Sequence, residues 1–156
     1  MTTKTLSDHA AVAKAIRAEL KRRGVAGRVT SSSFAGGNSV DVYTFDLPPT
    51  VAKELEAFCG QFMYGHFDGM TDCYEYSNKR SDLPQAKYVH LSNRTSATLE
   101  ASIWEYCRRY FHGLEQAPET GYENLYVKEL DCYGSQLVWR VFNGSQGNFW
   151  NATEET

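Results

Sequence analysis

A chain of 156 residues with a formal net charge of −3 is one domain by length, long enough to bury a core. Its ten Tyr, eight Phe and three Trp argue for a folded globular protein and against disorder. The mild charge supports neither the acidity of a DNA mimic nor the basicity usual in a dedicated nucleic-acid binder, and no apolar run approaches the roughly 18 residues that span a bilayer.

The opening Met1-Thr2-Thr3-Lys4-Thr5-Leu6-Ser7-Asp8 lacks the apolar core of a signal peptide, so a cytoplasmic protein without membrane contact is expected. Ser7 or Thr5 can then cap a helix to about Arg23, with Val12, Ile16 and Leu20 forming one apolar stripe. Gly24 sits where a left-handed cap belongs, after the cations Lys21, Arg22 and Arg23. Arg28–Phe34 and Ser39–Phe45 read as strands, joined by Ala35-Gly36-Gly37-Asn38 as a hairpin turn. Pro48-Pro49 ends the second strand and starts a helix whose buried face carries Val51, Leu55, Phe58 and Phe62.

Beyond the segment His66-Phe67-Asp68-Gly69-Met70, strands are expected at Cys73–Tyr76 and Lys87–Leu91. The third helix runs from about Ser96 to His112 and stops at Gly113, with Leu99, Ile103, Tyr106 and Tyr110 inward. Leu125–Leu130 and Leu137–Phe142 read as a last strand pair around Tyr133-Gly134-Ser135-Gln136, before a polar tail from Asn143. The order is αββαββαββ, an α+β fold with a mainly antiparallel sheet and three helices on one face.

Two glycine-centred segments carry what specificity the chain has. Ser31-Ser32-Ser33-Phe34-Ala35-Gly36-Gly37-Asn38-Ser39-Val40-Asp41-Val42, Pro49-Thr50 opening a helix, and His66-Phe67-Asp68-Gly69-Met70-Thr71-Asp72-Cys73-Tyr74-Glu75-Tyr76 together resemble a large polyvalent protein associated domain of phage and plasmid mobile elements. The resemblance covers about residues 10–78, leaving 79–142 unmatched and 143–156 as tail within a single domain. It implies a mobile-element context, in which proteins that accompany foreign DNA often blunt host restriction or CRISPR defence. It supplies no catalytic residue.

No reaction is legible in the residues themselves. The serine and Gly-Gly segment lacks the Gly-Lys-Ser or Gly-Lys-Thr ending of a P-loop and reads as a hairpin turn. His66, Asp68 and Asp72, with Cys59 and Cys73 each seven residues from His66, match no zinc spacing, and no metal or cofactor is expected. Cys107 and His112 lie five residues apart on one helix and face different directions. Cys59, Cys73, Cys107 and Cys132 form no Cys-x-x-Cys pair and read as free thiols.

Two surfaces remain. Asp41, Asp68, Asp72 and Glu75 alternate with Tyr43, Tyr64, Tyr74 and Tyr76, an acidic, tyrosine-bearing face suited to a basic protein that grips nucleic acid. Lys14, Arg17, Lys21 and Arg22 line one flank of the first helix, with Lys4, Arg23 and Arg28 nearby, and suit phosphates. The expected function is a non-enzymatic interaction protein of a mobile element that binds and inhibits a host defence component, of anti-CRISPR or anti-restriction type. A nucleic-acid-binding accessory protein using the basic flank, and a small enzyme of unknown reaction, stay open as alternatives.

Overall fold

The computed structural model describes residues 5–152. They fall into two compact units, one running to Phe45 and resuming over Val51–Arg94, the other formed by Asp46–Thr50 and the chain from Thr95 onward.

In the first unit, α1 (Asp8–Arg23) follows from the Val12, Ile16, Leu20 stripe, and all three side chains are buried. Ser7 holds the N-cap position, and the Gly24 N–H closes the helix on the Leu20 and Lys21 carbonyls. β1 (Gly27–Phe34) and β2 (Gly37–Phe45) form the expected hairpin, pairing Phe34 with Gly37 across a two-residue turn. Gly36 takes φ +96° there, which a side chain would resist.

β5 (Tyr88–Arg94) joins the other edge of β2, and the β2–β5 pairing is parallel. The main sheet is therefore mixed, while the other two ladders among the described residues are antiparallel, so the α+β class with mainly antiparallel pairing holds. The chain between the two strands holds α2 (Pro49–Gly60), long enough to carry it back to the same end of the sheet. α2 buries Leu55 and Cys59, one helical turn apart, and Phe62 is buried just after it.

Strand alternation gives the sheet two unlike faces. Val29, Val40, Val42 and Val89 are buried on one, which α1 packs against. Thr44 is also fully buried and donates a 3.0 Å hydrogen bond to Asn93 Oδ1 on the neighbouring strand. The alternate residues Ser39, Asp41, Tyr43 and Phe45 lie on the opposite face, half-buried or exposed. Off this sheet, β3 (His66–Asp68) and β4 (Cys73–Glu75) form a separate antiparallel hairpin.

The second unit is built on α3 (Ala97–Tyr110), which Ser96 caps by accepting a 3.2 Å bond from Leu99 N–H. Asp46 fixes that cap, accepting 2.7 Å bonds from the Ser96 N–H and hydroxyl. Ile103, Trp104 and Cys107 form the buried face, and Trp104 stacks on Tyr122 at 4.4 Å while its indole N–H donates to the Pro118 carbonyl. Tyr110, expected inward, is 63% exposed, because the buried stripe turns through Trp104 instead.

The expected C-terminal strand pair is overturned. Only β6 (Tyr126–Val127) and β7 (Cys132–Tyr133) pair, flanking a 3-10 turn at Lys128–Leu130. Gly134–Phe142, read as a turn and a strand, is helix α4. Its buried residues Leu137, Val138, Val141 and Phe142 recur at i, i+1, i+4 and i+5, a helical stripe hidden by its β-branched and aromatic composition. Gln136 Oε1 accepts the Tyr133 N–H at 2.8 Å to close its first turn. A short α5 (Phe149–Ala152) returns Phe149 to the core, so the described residues hold five helices rather than three.

Candidate functional site

The tyrosines of the expected interaction face converge in the first unit. Tyr64 stacks on Tyr76 with ring centres 5.4 Å apart, and Tyr74 meets both edge-on at 6.0 and 5.0 Å. β4 places Tyr74 on the side facing β5, where it meets Tyr88 at 5.7 Å. The Tyr74 hydroxyl donates to the Lys87 carbonyl at 2.6 Å. Burial, then the neighbouring Tyr64, Tyr88 and Tyr76, push that hydroxyl up to about 12. Burial likewise raises Tyr64.

Two lysines lie against the rings, with Asp8 also beside Tyr64. Lys87 Nζ lies 4.9 Å from the Tyr74 ring centre, and Lys79 Nζ lies 5.0 Å from that of Tyr76. A groove of about 490 Å³ opens beside the Tyr64–Tyr76 stack, lined also by Asp8, Lys79, Arg80, Leu83, Pro84 and Gln85. Arg80 is held by Asp82 at 2.5 Å. Tyr76 remains 54% exposed, so the stack offers ring surface to solvent.

The acidic members of the set lie elsewhere. Glu75, next to Tyr74 on a strand, points to the opposite side and comes within 3.6 Å of His66. Asp68 accepts the Met70 N–H at 2.9 Å, and that bond holds its carboxyl below the usual range. Asp72 sits in the same turn with φ +54°. Asp41 and Tyr43 are on the open sheet face, Asp41 beside His90 and Tyr43 between Arg28 and Ser92. Thus Tyr64, Tyr74 and Tyr76 are brought together, while Asp68, Asp72 and Glu75 form a hairpin rim and Asp41 and Tyr43 belong to another surface.

On the basic flank, two of the four candidates have local partners. Arg17 Nη2 donates to the Val29 carbonyl at 2.8 Å, tying α1 to β1. Arg22 is bound to Glu19, as is Arg23, and together they hold the Glu19 carboxyl down to about 2. Lys14 and Lys21 are exposed, and Lys4 lies outside the described residues. Lys79, Lys87 and Tyr88 were absent from the sequence-based set. Lys79 and Lys87 lie outside the strands, and the contact of Tyr74 with Tyr88 is long-range, so no local spacing marked them.

Two of the buried thiols are held in the protonated form. Burial, with Glu56 nearby, pushes Cys59 up to about 11, and burial beside Cys132 pushes Cys107 up to about 12. His112 is exposed past the end of α3 while Cys107 is buried. No helix among the described residues is long and apolar enough to cross a membrane.

The family model described as large polyvalent protein associated domain 29 matches residues 7–102. The match passes beyond residues 10–78 and takes in β5 and the start of α3. No curated protein matches the chain, and no solved structure does.

Proposed function

We propose, from the premise that this chain belongs to the large polyvalent protein associated domain 29 family of phage and mobile-element proteins, that it is a non-enzymatic interaction protein that binds and inhibits a host defence component. The target class is restriction or CRISPR machinery, and the encounter takes place in the host cytoplasm. The observation that carries the docking reading is the exposed Tyr64–Tyr76 stack, backed by Tyr74 and opening on a groove.

Tyrosines held by their neighbours make good anchors. They present large rigid surfaces, lose little side-chain entropy on binding, and keep a hydroxyl for a partner's polar groups. Lys79 and Lys87 brace the rings, and the Asp68, Asp72 and Glu75 rim supplies charge to orient a basic partner.

The test is a transfer assay. Expression of the chain in a host carrying an active restriction or CRISPR system is expected to raise phage plating or plasmid establishment at least about ten-fold, and a nuclease-treated lysate should yield a defence protein bound to it. Tyr76→Ala should abolish both effects with the fold intact by circular dichroism. No rise in any defence-competent host, or a rise unchanged by Tyr76→Ala, sinks the reading.

A further inference from the structure

We infer that the open face of the β1-β2-β5 sheet binds single-stranded nucleic acid at its Arg28, Tyr43, Phe45 and Arg94 end, with bases on the two rings and phosphates on the two guanidiniums. This goes beyond the protein-docking reading and does not rest on it. The two surfaces are well apart: from Ser39, beside Tyr88, to Phe45 is six residues of β2, about 20 Å.

The register builds the platform. Arg28 of β1 pairs with Tyr43, and Phe45 pairs with Arg94 of β5, so rings and cations alternate on the same face. They line a groove of about 530 Å³ together with Ala26 and Gly27. Phe45 is 57% exposed at the end of its strand, where an apolar ring in water is a cost without a partner.

The arginines identify the partner's charge. Arg22, Arg23, Arg80 and Arg108 each hold a carboxylate within 3.0 Å. Arg28 and Arg94 are exposed and hold none among the described residues. Two free guanidiniums around two rings call for a ligand with both anions and planar faces, and a nucleic-acid strand has both. A duplex hides its base faces in its own stack, so the rings select unpaired bases. Asp41 lies one row inward beside His90 and confines the anion-binding zone to the end rows.

The experiment is fluorescence anisotropy of the full chain with a labelled, mixed-sequence DNA strand of about 12 nucleotides and with the same strand annealed to its complement. The single strand should bind at least about ten-fold more tightly than the duplex. Two phosphate contacts predict a slope of log affinity on log salt near −1.4, which the R28A/R94A double variant flattens. Phe45→Ala should weaken binding by roughly ten-fold or more. Phe45→Leu, which keeps apolar volume without the ring, should do nearly the same, while Tyr76→Ala leaves binding unchanged and so separates this site from the docking surface. Four results would each overturn the inference: no saturable binding near 50 mM salt, a preference for duplex, affinity unchanged in R28A/R94A, or a poly-glutamate peptide that competes as well as the unlabelled strand.

Discussion

Tyr74 and Lys87 hold each other twice: the tyrosine hydroxyl donates to the lysine carbonyl at 2.6 Å, and the lysine ammonium lies 4.9 Å from the same ring's centre. One residue of the β3–β4 hairpin is thereby tied to the first residue before β5. Tyr74→Phe removes the donor and leaves the carbonyl short of a partner. Urea denaturation should show a loss of about 1–2 kcal/mol.

The same hydroxyl predicts an alkaline limit. Its folded value is raised to about 12 from an ordinary 10.0, so the protonated form is favoured in the folded state. That contribution is complete below pH 10 and is lost as pH rises through about 12. Stability measured across this window should fall in the wild type and fall less in Tyr74→Phe. Ultraviolet titration at the phenolate band should show Tyr74 among the last tyrosines to ionise.

Gly65 and Gly60 should respond oppositely to alanine. A Cβ at Gly65 would stand 1.9 Å from the Glu75 carbonyl oxygen and 2.6 Å from the Tyr74 ring. At Gly60, the last residue of α2, it would meet nothing within 4 Å. Gly65→Ala is expected to cost about 1–3 kcal/mol through overpacking against backbone. Gly60→Ala should be neutral or add up to about 1 kcal/mol of helix propensity. Equal midpoints in thermal melts would contradict both.

The cysteines divide by accessibility. Cys73 is exposed on β4, and Cys59, Cys107 and Cys132 are buried. Brief iodoacetamide treatment of the native protein, read by mass spectrometry, should label Cys73 alone. Denaturant should open all four.

Glu19 sets an acid limb. Hydrogen bonds from Arg22 and Arg23 lower its carboxyl from 4.5 to about 2. A depressed folded value contributes stability above the unfolded value, and that contribution is lost as pH falls from 4.5 through about 2. Glu19→Gln should flatten the stability profile in that window, so that the variant is less stable than the wild type at neutral pH and the difference closes as pH falls through about 2.

Residues 137–142 provide a direct test of helix against strand. In α4, Leu137 is fully buried and Trp139 is 64% exposed, though a strand would place both on one face. Leu137→Ala should cost about 2–5 kcal/mol, and Trp139→Glu should stay within about 0.5 kcal/mol.

Where local rules suffice, the sequence is a reliable guide to this chain. The Val12, Ile16, Leu20 stripe with Gly24 behind it and the tight turn through Ala35-Gly36 each depend on residues close together in the chain, so composition and spacing determine them. The family resemblance, carried by the two glycine segments, is legible for the same reason: they are contiguous stretches. Tertiary structure decided the rest. The parallel joining of β5 to β2 spans about fifty residues, and no local signal encodes which edge a strand will choose. In α4, the β-branched run favoured a strand, and a buried i, i+1, i+4, i+5 stripe in the second core overrode that preference. The interaction face was likewise divided by pairing: Tyr74 and Glu75 are adjacent in the chain and on opposite sides of one strand, while Arg28, Tyr43, Phe45 and Arg94 share a groove only because three strands align in one register.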